Sequence, residues 1–491
     1  MRIKPGLDEV KAFASQGYRT VPVGCELYAD GITPIEVLRR LKGASSHAFL
    51  LESVEDSKQW GRYTFLGYDP KLELTCRNGV LTVRNGGTTT ETVRHPGETI
   101  RRIAAEYRSP RLDSLPPFTG GLVGYWSYDY IKYAEPSLSL DADDTECFRD
   151  LDLMLFDKVI AFDNLRQKIL LLTLVRCEDA ENDYARAADT LRAMRELVEH
   201  GTPRADEPGR RTTDFRPLFD EDAYCRMVEK AKAYIRDGDI FQVVLSNRLE
   251  AGYEGSLLDT YRVLRTLNPS PYLFYFASDD LEMAGASPET LVKLDKGTLH
   301  TFPLAGTRRR GDTPAEDEAL ERELLADEKE RAEHNMLVDL GRNDIGKVSR
   351  FGSVVVEKYG VVQKYSHVMH LGSTVRGILR DDKDAVDAMD SILPAGTLSG
   401  APKIRACQII NELENNKRGI YGGAVGYLDF SGSLDACIAI RFCFKKNGKV
   451  FVRSGAGIVA DSVPAREYRE CLNKAKAVLV ALETAQEGLE P

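Results

Sequence analysis

Residues 71–87 read KLELTCRNGVLTVRNGG, and the two Asn-Gly pairs in that stretch constrain the fold more than any other feature. Asn-Gly accepts the positive φ angles of a two-residue hairpin turn, so the flanking runs read as antiparallel strands. Short strand-like runs separated by turn residues continue from about Ala48 to Ala161. A helical run, NDYARAADTLRAMRELVE, then ends before HGTPRADEPGRRTTDF, whose Pro, Gly and charge mark a boundary. Two domains are expected, a hairpin-rich one over 1–205 and a second over 215–485. In the second, Ala223, Met227, Ala231 and Tyr234 fall at helical spacing, and IFQVVLSNRLEA follows as a buried strand. Helices and hairpins alternate from there without a βαβ cadence, so the fold class is α+β with largely antiparallel sheets.

Composition narrows the function. Against 66 Lys and Arg stand 76 Asp and Glu, a formal charge of −10, which argues against a general polyanion binder and makes nucleic acid an unexpected partner. No apolar run reaches the ~18 residues of a membrane span, and MRIKPGLDEV lacks the apolar region of a signal peptide, so a cytoplasmic protein without membrane partners is expected. Nine cysteines without a CxxC pair support neither a disulfide framework nor a Cys-rich zinc site.

Several segments carry groups capable of chemistry. LLADEKERAEHNMLVDL reads as one amphipathic helix with Glu330, Glu333 and His334 within one arc, and PAREYRECLNKAKAVLV places Glu467, Glu470 and Lys474 together in the same way. Two such helices could converge four carboxylates, which repel unless a cation such as Mg²⁺ neutralises them; solvated helix faces are the alternative. Gly455-Ala456-Gly457-Ile-Val-Ala matches a loose dinucleotide fingerprint, but Pro464 precedes any helix and no acidic residue follows at the required distance. What survives is a Gly-rich turn that could hold a carboxylate, or a plain tight turn. PAGTLSGAPK has its Lys three residues after the second Gly and is not a phosphate loop. Arg441 stands inside an apolar strand pattern and needs either a protein carboxylate or an anionic ligand. His370 suits a general acid/base or a hydrogen-bonded core histidine, and Glu289, after Ser287-Pro288, a cleft acid or a surface turn.

These segments together resemble the chorismate-utilising enzymes, and among them the large-subunit family of anthranilate synthases. GDIFQVVLS, NPSPYLFYF, AGASPE, PLAGTRRRG, DEKERAEHNMLVDLGRNDIGKV, YSHVMHL, PAGTLSGAPK, YGGAVGY, IAIR, SGAGIVADS and EYRECLNKA occur in the family's order between about 220 and 480, and LLES suits its first domain. The resemblance implies antiparallel sheets packed as a sandwich with surrounding helices. It implies that Glu333 and Glu470 ligate Mg²⁺, with Glu330 and Glu467 acting around it. Arg441, Tyr421, Gly455, Ala456 and Gly457 would take the enolpyruvyl carboxylate of chorismate, with Gly306, Thr307, Thr397 and Lys474 completing the pocket. Glu289 matches the family's general acid for loss of the C4 hydroxyl, and His370 the histidine associated with pyruvate elimination.

Two positions discriminate among relatives. Isochorismate and salicylate synthases carry Lys where this chain has Gln242, because water must be deprotonated before attack. Aminodeoxychorismate synthases carry a nucleophilic Lys where this chain has Ala305. The pair Gln242 and Ala305 implies direct ammonia attack and the ortho product, anthranilate; Arg309, where Pro is usual, is the one departure. No cysteine lies in a Gly-x-Cys-x-Gly turn, so a separate glutamine amidotransferase subunit, in a hetero-oligomer, is implied as the ammonia source. Ser53 in LLES and Pro271, Tyr272 and Leu273 in NPSPYL resemble the family's effector pocket, which implies feedback inhibition by tryptophan. An aminodeoxyisochorismate synthase and a catalytically inactive tryptophan-binding regulator are the rival readings.

Overall fold

The computed structural model describes residues 1–53, 61–364 and 368–489; the side chain of Thr307 also lies outside the described residues. Among the described residues, two antiparallel sheets of 13 and 12 strands stack on one another. The Asn-Gly hairpin forms as read, Leu72–Arg77 pairing with Val80–Arg84, and Asn78 and Gly79 both take positive φ. In the larger sheet successive side chains serve two different cores. Phe49, Phe65, Leu170, Phe274 and Phe276 enter the layer between the sheets. Their neighbours Leu50, Leu66, Leu171, Leu273 and Tyr275 pack outward against helices that include Leu191, Val478 and Leu482. Burial of both faces explains why these strands read as apolar runs instead of alternating ones. The α+β sandwich with surrounding helices is therefore the observed architecture.

Both sheets are shared by the two halves of the sequence. In the larger one, Ala48–Glu52 pairs with Tyr272–Ala277, and in the smaller one Gly121–Trp126 pairs with Ala424–Asp429. The polar stretch at 201–209 has no helix or strand and passes between the helix Ala180–His200 and the short strand Arg210–Arg211.

Three local readings need correction. LLADEKERAEHNMLVDL is not one helix: Pro314–Ala326 ends, and Asp327 caps a new helix, Glu328–Gly346, by accepting from the N–H groups of Lys329 and Glu330. Gly455–Gly457 is not a turn but the end of the strand Lys449–Ile458, paired residue by residue with Gln242–Glu254. Arg441 is not inside a strand. It stands at φ +55° between Leu434–Ile438 in the smaller sheet and Phe442–Lys446 in the larger one, where the chain changes sheet. Apolar residues on either side hid that change.

Candidate active site

The cleft forms where the strand Phe442–Lys446 begins. Its partnership with Lys449–Ile458 ends at the pair Cys443 and Val452, so beyond that point one edge of Gly455, Ala456 and Gly457 lacks a strand partner among the described ladders. Side chains close in on that edge. A Cβ on Gly455 would stand 2.7 Å from the Leu245 carbonyl oxygen and 3.0 Å from the Tyr421 hydroxyl, and one on Gly457 would stand 2.7 Å from Gln242 Nε2 and push that side chain aside. Lys474, on the helix Pro464–Glu487, donates from Nζ to the Gly455 carbonyl at 3.1 Å and pairs with Glu470 at 2.7 Å. Gln242 is buried and its Oε1 has no hydrogen-bond partner.

Arg441 donates to the Lys474 carbonyl, and among the described residues no carboxylate forms an ion pair with it. Burial lowers its pKa, partly offset by Tyr421 and Glu470. Desolvation of a guanidinium that lacks a carboxylate favours an anion arriving from outside.

Glu289 follows the strand Glu282–Ser287, and its Oε1 accepts from Thr397 Oγ1 at 3.2 Å, Thr397 lying in the short 3₁₀ turn Gly396–Leu398. Burial pushes its carboxyl up to about 8, against the Thr397 hydrogen bond and the Lys474 charge, so it is protonated at neutral pH. His370, on the strand Val368–Ile378, faces the Gly306 carbonyl with Nδ1 at 2.8 Å. A carbonyl only accepts, so Nδ1 carries the proton. Burial holds this ring below the ordinary histidine pKa, and Arg441 adds to that.

The two Glu-x-x-Glu helices face each other. Burial raises the Glu333 carboxyl, as do the neighbouring charges of Glu330 and Glu470; Glu467 is raised by burial and by Glu470. Arg308 approaches Glu330 at 3.4 Å. Among the described residues no three His, Cys, Asp or Glu side chains stand close enough to form a finished metal site. The donor set still fits a hard cation, being all oxygen and mutually repulsive without one.

Sequence reasoning missed the support beneath the cleft. Buried Arg418 donates to the carbonyls of Leu398 and Val244, both at 2.6 Å, and to Glu414, while buried Arg453 donates to Glu414 and Ser246. This network ties the Thr397 turn to the Gln242 strand. Charged residues within NKRGIY and VFVRSG were its available signal.

A second cavity, about 320 Å³, lies elsewhere in the sandwich, and Ser53, Pro271, Tyr272 and Leu273 are among its walls. Among the described residues Ser53 Oγ is buried with no hydrogen-bond partner, and so is Nε of Arg111, a wall residue that no motif announced. Tyr272 donates to Asp435 at 2.7 Å, and Glu52 accepts from Tyr261 and Arg265.

A family profile described as chorismate binding enzyme matches residues 47–480. Anthranilate synthase component 1 of Acetivibrio thermocellus is 47% identical over 98% of this chain and 99% of its own length. That of Aquifex aeolicus is 43% identical over the full length of both. The chain belongs to the anthranilate synthase component 1 family of chorismate binding enzymes. It is thus a chorismate-utilising enzyme by family. A crystal structure of anthranilate synthase component I from Streptococcus pneumoniae, 38% identical, superposes with a TM-score of 0.74 over 92% of this chain and 98% of that one. The isochorismate synthase MenF of Escherichia coli, 19% identical, shares the fold at a TM-score of 0.70, covering 97% and 98% of the two chains. No helix among the described residues is long and apolar enough to cross a membrane.

Proposed function

We propose that this chain is the large subunit of an anthranilate synthase: it aminates chorismate at C2 with ammonia, loses the C4 hydroxyl and eliminates pyruvate to give anthranilate, the first step of tryptophan biosynthesis. The observation that carries the reading is the placement of Glu289, bonded by Thr397 where burial favours its protonated form, in a cleft with a half-buried Arg441 that forms no ion pair among the described residues. Hydroxide leaves poorly, so an acid must protonate it, and Glu289 supplies that proton. Arg441, Tyr421 and the strand edge Gly455–Gly457 bind the enolpyruvyl carboxylate, with Gly306, Thr307, Thr397 and Lys474 around the ring. Gln242 presents an amide where a water-adding relative needs a base, and its Oε1, without a partner among the described residues, is suited to accept a hydrogen bond from ammonia. His370, neutral with its proton on Nδ1, serves the elimination of pyruvate.

Glu333 and Glu470, with Glu330 and Glu467 behind them, would hold Mg²⁺. When bound, the cation supplies a Lewis acid toward the ring carboxylate. Ammonia comes from a separate glutamine amidotransferase subunit in a cytoplasmic hetero-oligomer. Segment 215–485 carries the catalysis and segment 1–205 the effector side, and tryptophan occupies the cavity where Ser53 of the first meets Pro271–Leu273 of the second. The unpartnered Ser53 hydroxyl and the cavity's volume support an amino acid of that size.

The purified chain with chorismate, Mg²⁺ and ammonium should form anthranilate, seen by its fluorescence. Glutamine should replace ammonium only when a glutaminase subunit is added. Glutamine-dependent turnover by the chain alone, or isochorismate as the product, would refute this reading.

A further inference from the structure

Among the places where the chain passes between the two sheets, two lie side by side at the cleft. Glu282–Ser287 pairs with Phe442–Lys446 in the larger sheet, and their continuations Thr290–Asp295 and Leu434–Ile438 pair in the smaller one. Residues 287–290 and 438–442 therefore cross together as one antiparallel ribbon, and each crossing carries a cleft residue, Glu289 on one and Arg441 on the other.

Backbone bonds alone do not hold the crossing. Ala286 N–H donates to Arg441 O at 3.0 Å, and Ile438 N–H donates to Glu289 O, also at 3.0 Å. Between these bonds Pro288 has no N–H to offer. Ser287, fully buried, fills the gap: its Oγ donates to Ile438 O at 2.7 Å and lies 3.4 Å from Glu289 N, which donates to it. Without that hydroxyl, the Ile438 carbonyl would keep only the Ile440 N–H at 2.9 Å and the Glu289 N–H would lose its bond to the Ser287 side chain, so the link between the two crossing segments would slacken. The Glu289 side chain has one hydrogen bond of its own, to Thr397, so its aim depends on where its backbone is held.

We propose that Ser287 is a positioning residue for the catalytic acid: its hydroxyl clamps the two crossing segments and thereby fixes Glu289 relative to Arg441. The proposal rests on the reading of Glu289 as the general acid. Two groups act on that carboxyl from other elements, Thr397 from the 3₁₀ turn and Lys474 from the helix Pro464–Glu487; Asp344, on the helix Glu328–Gly346, lines the same small recess but pairs with Lys403. Ser287→Ala leaves these in place. What changes is the freedom of Glu289 to turn toward the open cleft, where hydration favours its ionised form.

The test is a pH–rate profile for wild type, Ser287→Ala, Glu289→Gln and the double variant, with the melting temperature of each. Ser287→Ala is expected to lower kcat by about 10- to 100-fold with the KM for chorismate within about twofold, and to move the alkaline limb to lower pH. In the Glu289→Gln background it should add no further loss, because a residue that acts through another has nothing left to act on. A profile that is only scaled down with its limb in place, or an equal loss in both backgrounds, would overturn the proposal. If Glu289→Gln itself retains the alkaline limb, the general-acid reading fails, whatever Ser287 does. Should Ser287→Ala not fold, Ser287→Cys, of similar size but a weak donor, carries the same readings.

Discussion

The cleft and the second cavity treat charge in opposite ways. In the cleft, burial moves groups from their ordinary pKa values: Glu289 and Glu333 are pushed up, and His370 and Arg441 are pushed down. Around the cavity charged side chains are paired within the protein, Arg62 with Asp163, Lys293 with Asp435 and Arg265 with Glu52. Its unsatisfied atoms are a serine hydroxyl and one guanidinium nitrogen, with Asp295 3.7 Å from the latter. A region that must move protons holds acids and a base whose pKa values burial has shifted, whereas one that only recognises a ligand pairs its charges and leaves a few directional bonds open.

Four measurements would break or sharpen that contrast. The largest effect is expected for Glu333→Ala or Glu470→Ala, which should abolish Mg²⁺-dependent turnover while leaving the melting temperature close to wild type. Near wild-type rates at low Mg²⁺ would remove the cation from the cleft.

Glu289→Gln should lower kcat by about 10²- to 10⁴-fold with little change in KM. The same group links pH to stability. Its folded pKa, about 8, is raised above the value of an ordinary carboxyl, so the native state binds more protons between those values. Its contribution is fully present below the ordinary pKa and fades as pH rises through about 8. Glu289→Gln should therefore flatten the fall in melting temperature across that window, and an unchanged slope would place the titration elsewhere.

Ser53→Phe tests the other region. It should weaken tryptophan inhibition by about tenfold or more while sparing the uninhibited rate, because an apolar ring replaces a hydroxyl in a recognition wall. Linkage requires that chorismate weaken tryptophan binding by the factor that tryptophan weakens chorismate binding. Calorimetry that finds no tryptophan binding to the wild-type chain would end this reading of the cavity. The smallest effect belongs to Thr397→Val. Its hydroxyl favours the ionised form of Glu289, so its loss should move the alkaline limb to higher pH and cost a few-fold in rate. A limb moving downward would contradict the assigned bond.

Local features of the site were legible because local rules govern them. Glu-x-x-Glu spacing places two carboxylates on one helix face whatever the helix packs against, and Ser287-Pro288-Glu289 ends its strand as read. Arg441 was visible as a charge that apolar neighbours could not satisfy, yet its place at a sheet crossing was not, because residues on both sides are equally apolar. Gly455–Gly457 looked like a turn since glycine serves turns and close approach alike; which applies depends on Gln242 and Tyr421, distant in sequence. The contact between Ser287 and Ile438 spans 151 positions and leaves no periodic trace. Arg111 announces itself no better, because a single arginine near prolines is ordinary surface composition.

The sharing of both sheets by the two halves also bears on how the chain is made. Until residues beyond about 270 emerge from the ribosome, Ala48–Glu52 and Gly121–Trp126 each have an unpaired edge, buried in the finished sandwich. Ala48–Glu52 finds Tyr63–Tyr68 and Gly121–Trp126 finds Leu151–Phe156 early, but the other edge of each stays open until Tyr272–Ala277 and Ala424–Asp429 arrive. For most of its synthesis the nascent protein thus presents two adhesive rows of backbone amides and carbonyls. The sandwich can therefore close only after the second half of the chain has emerged.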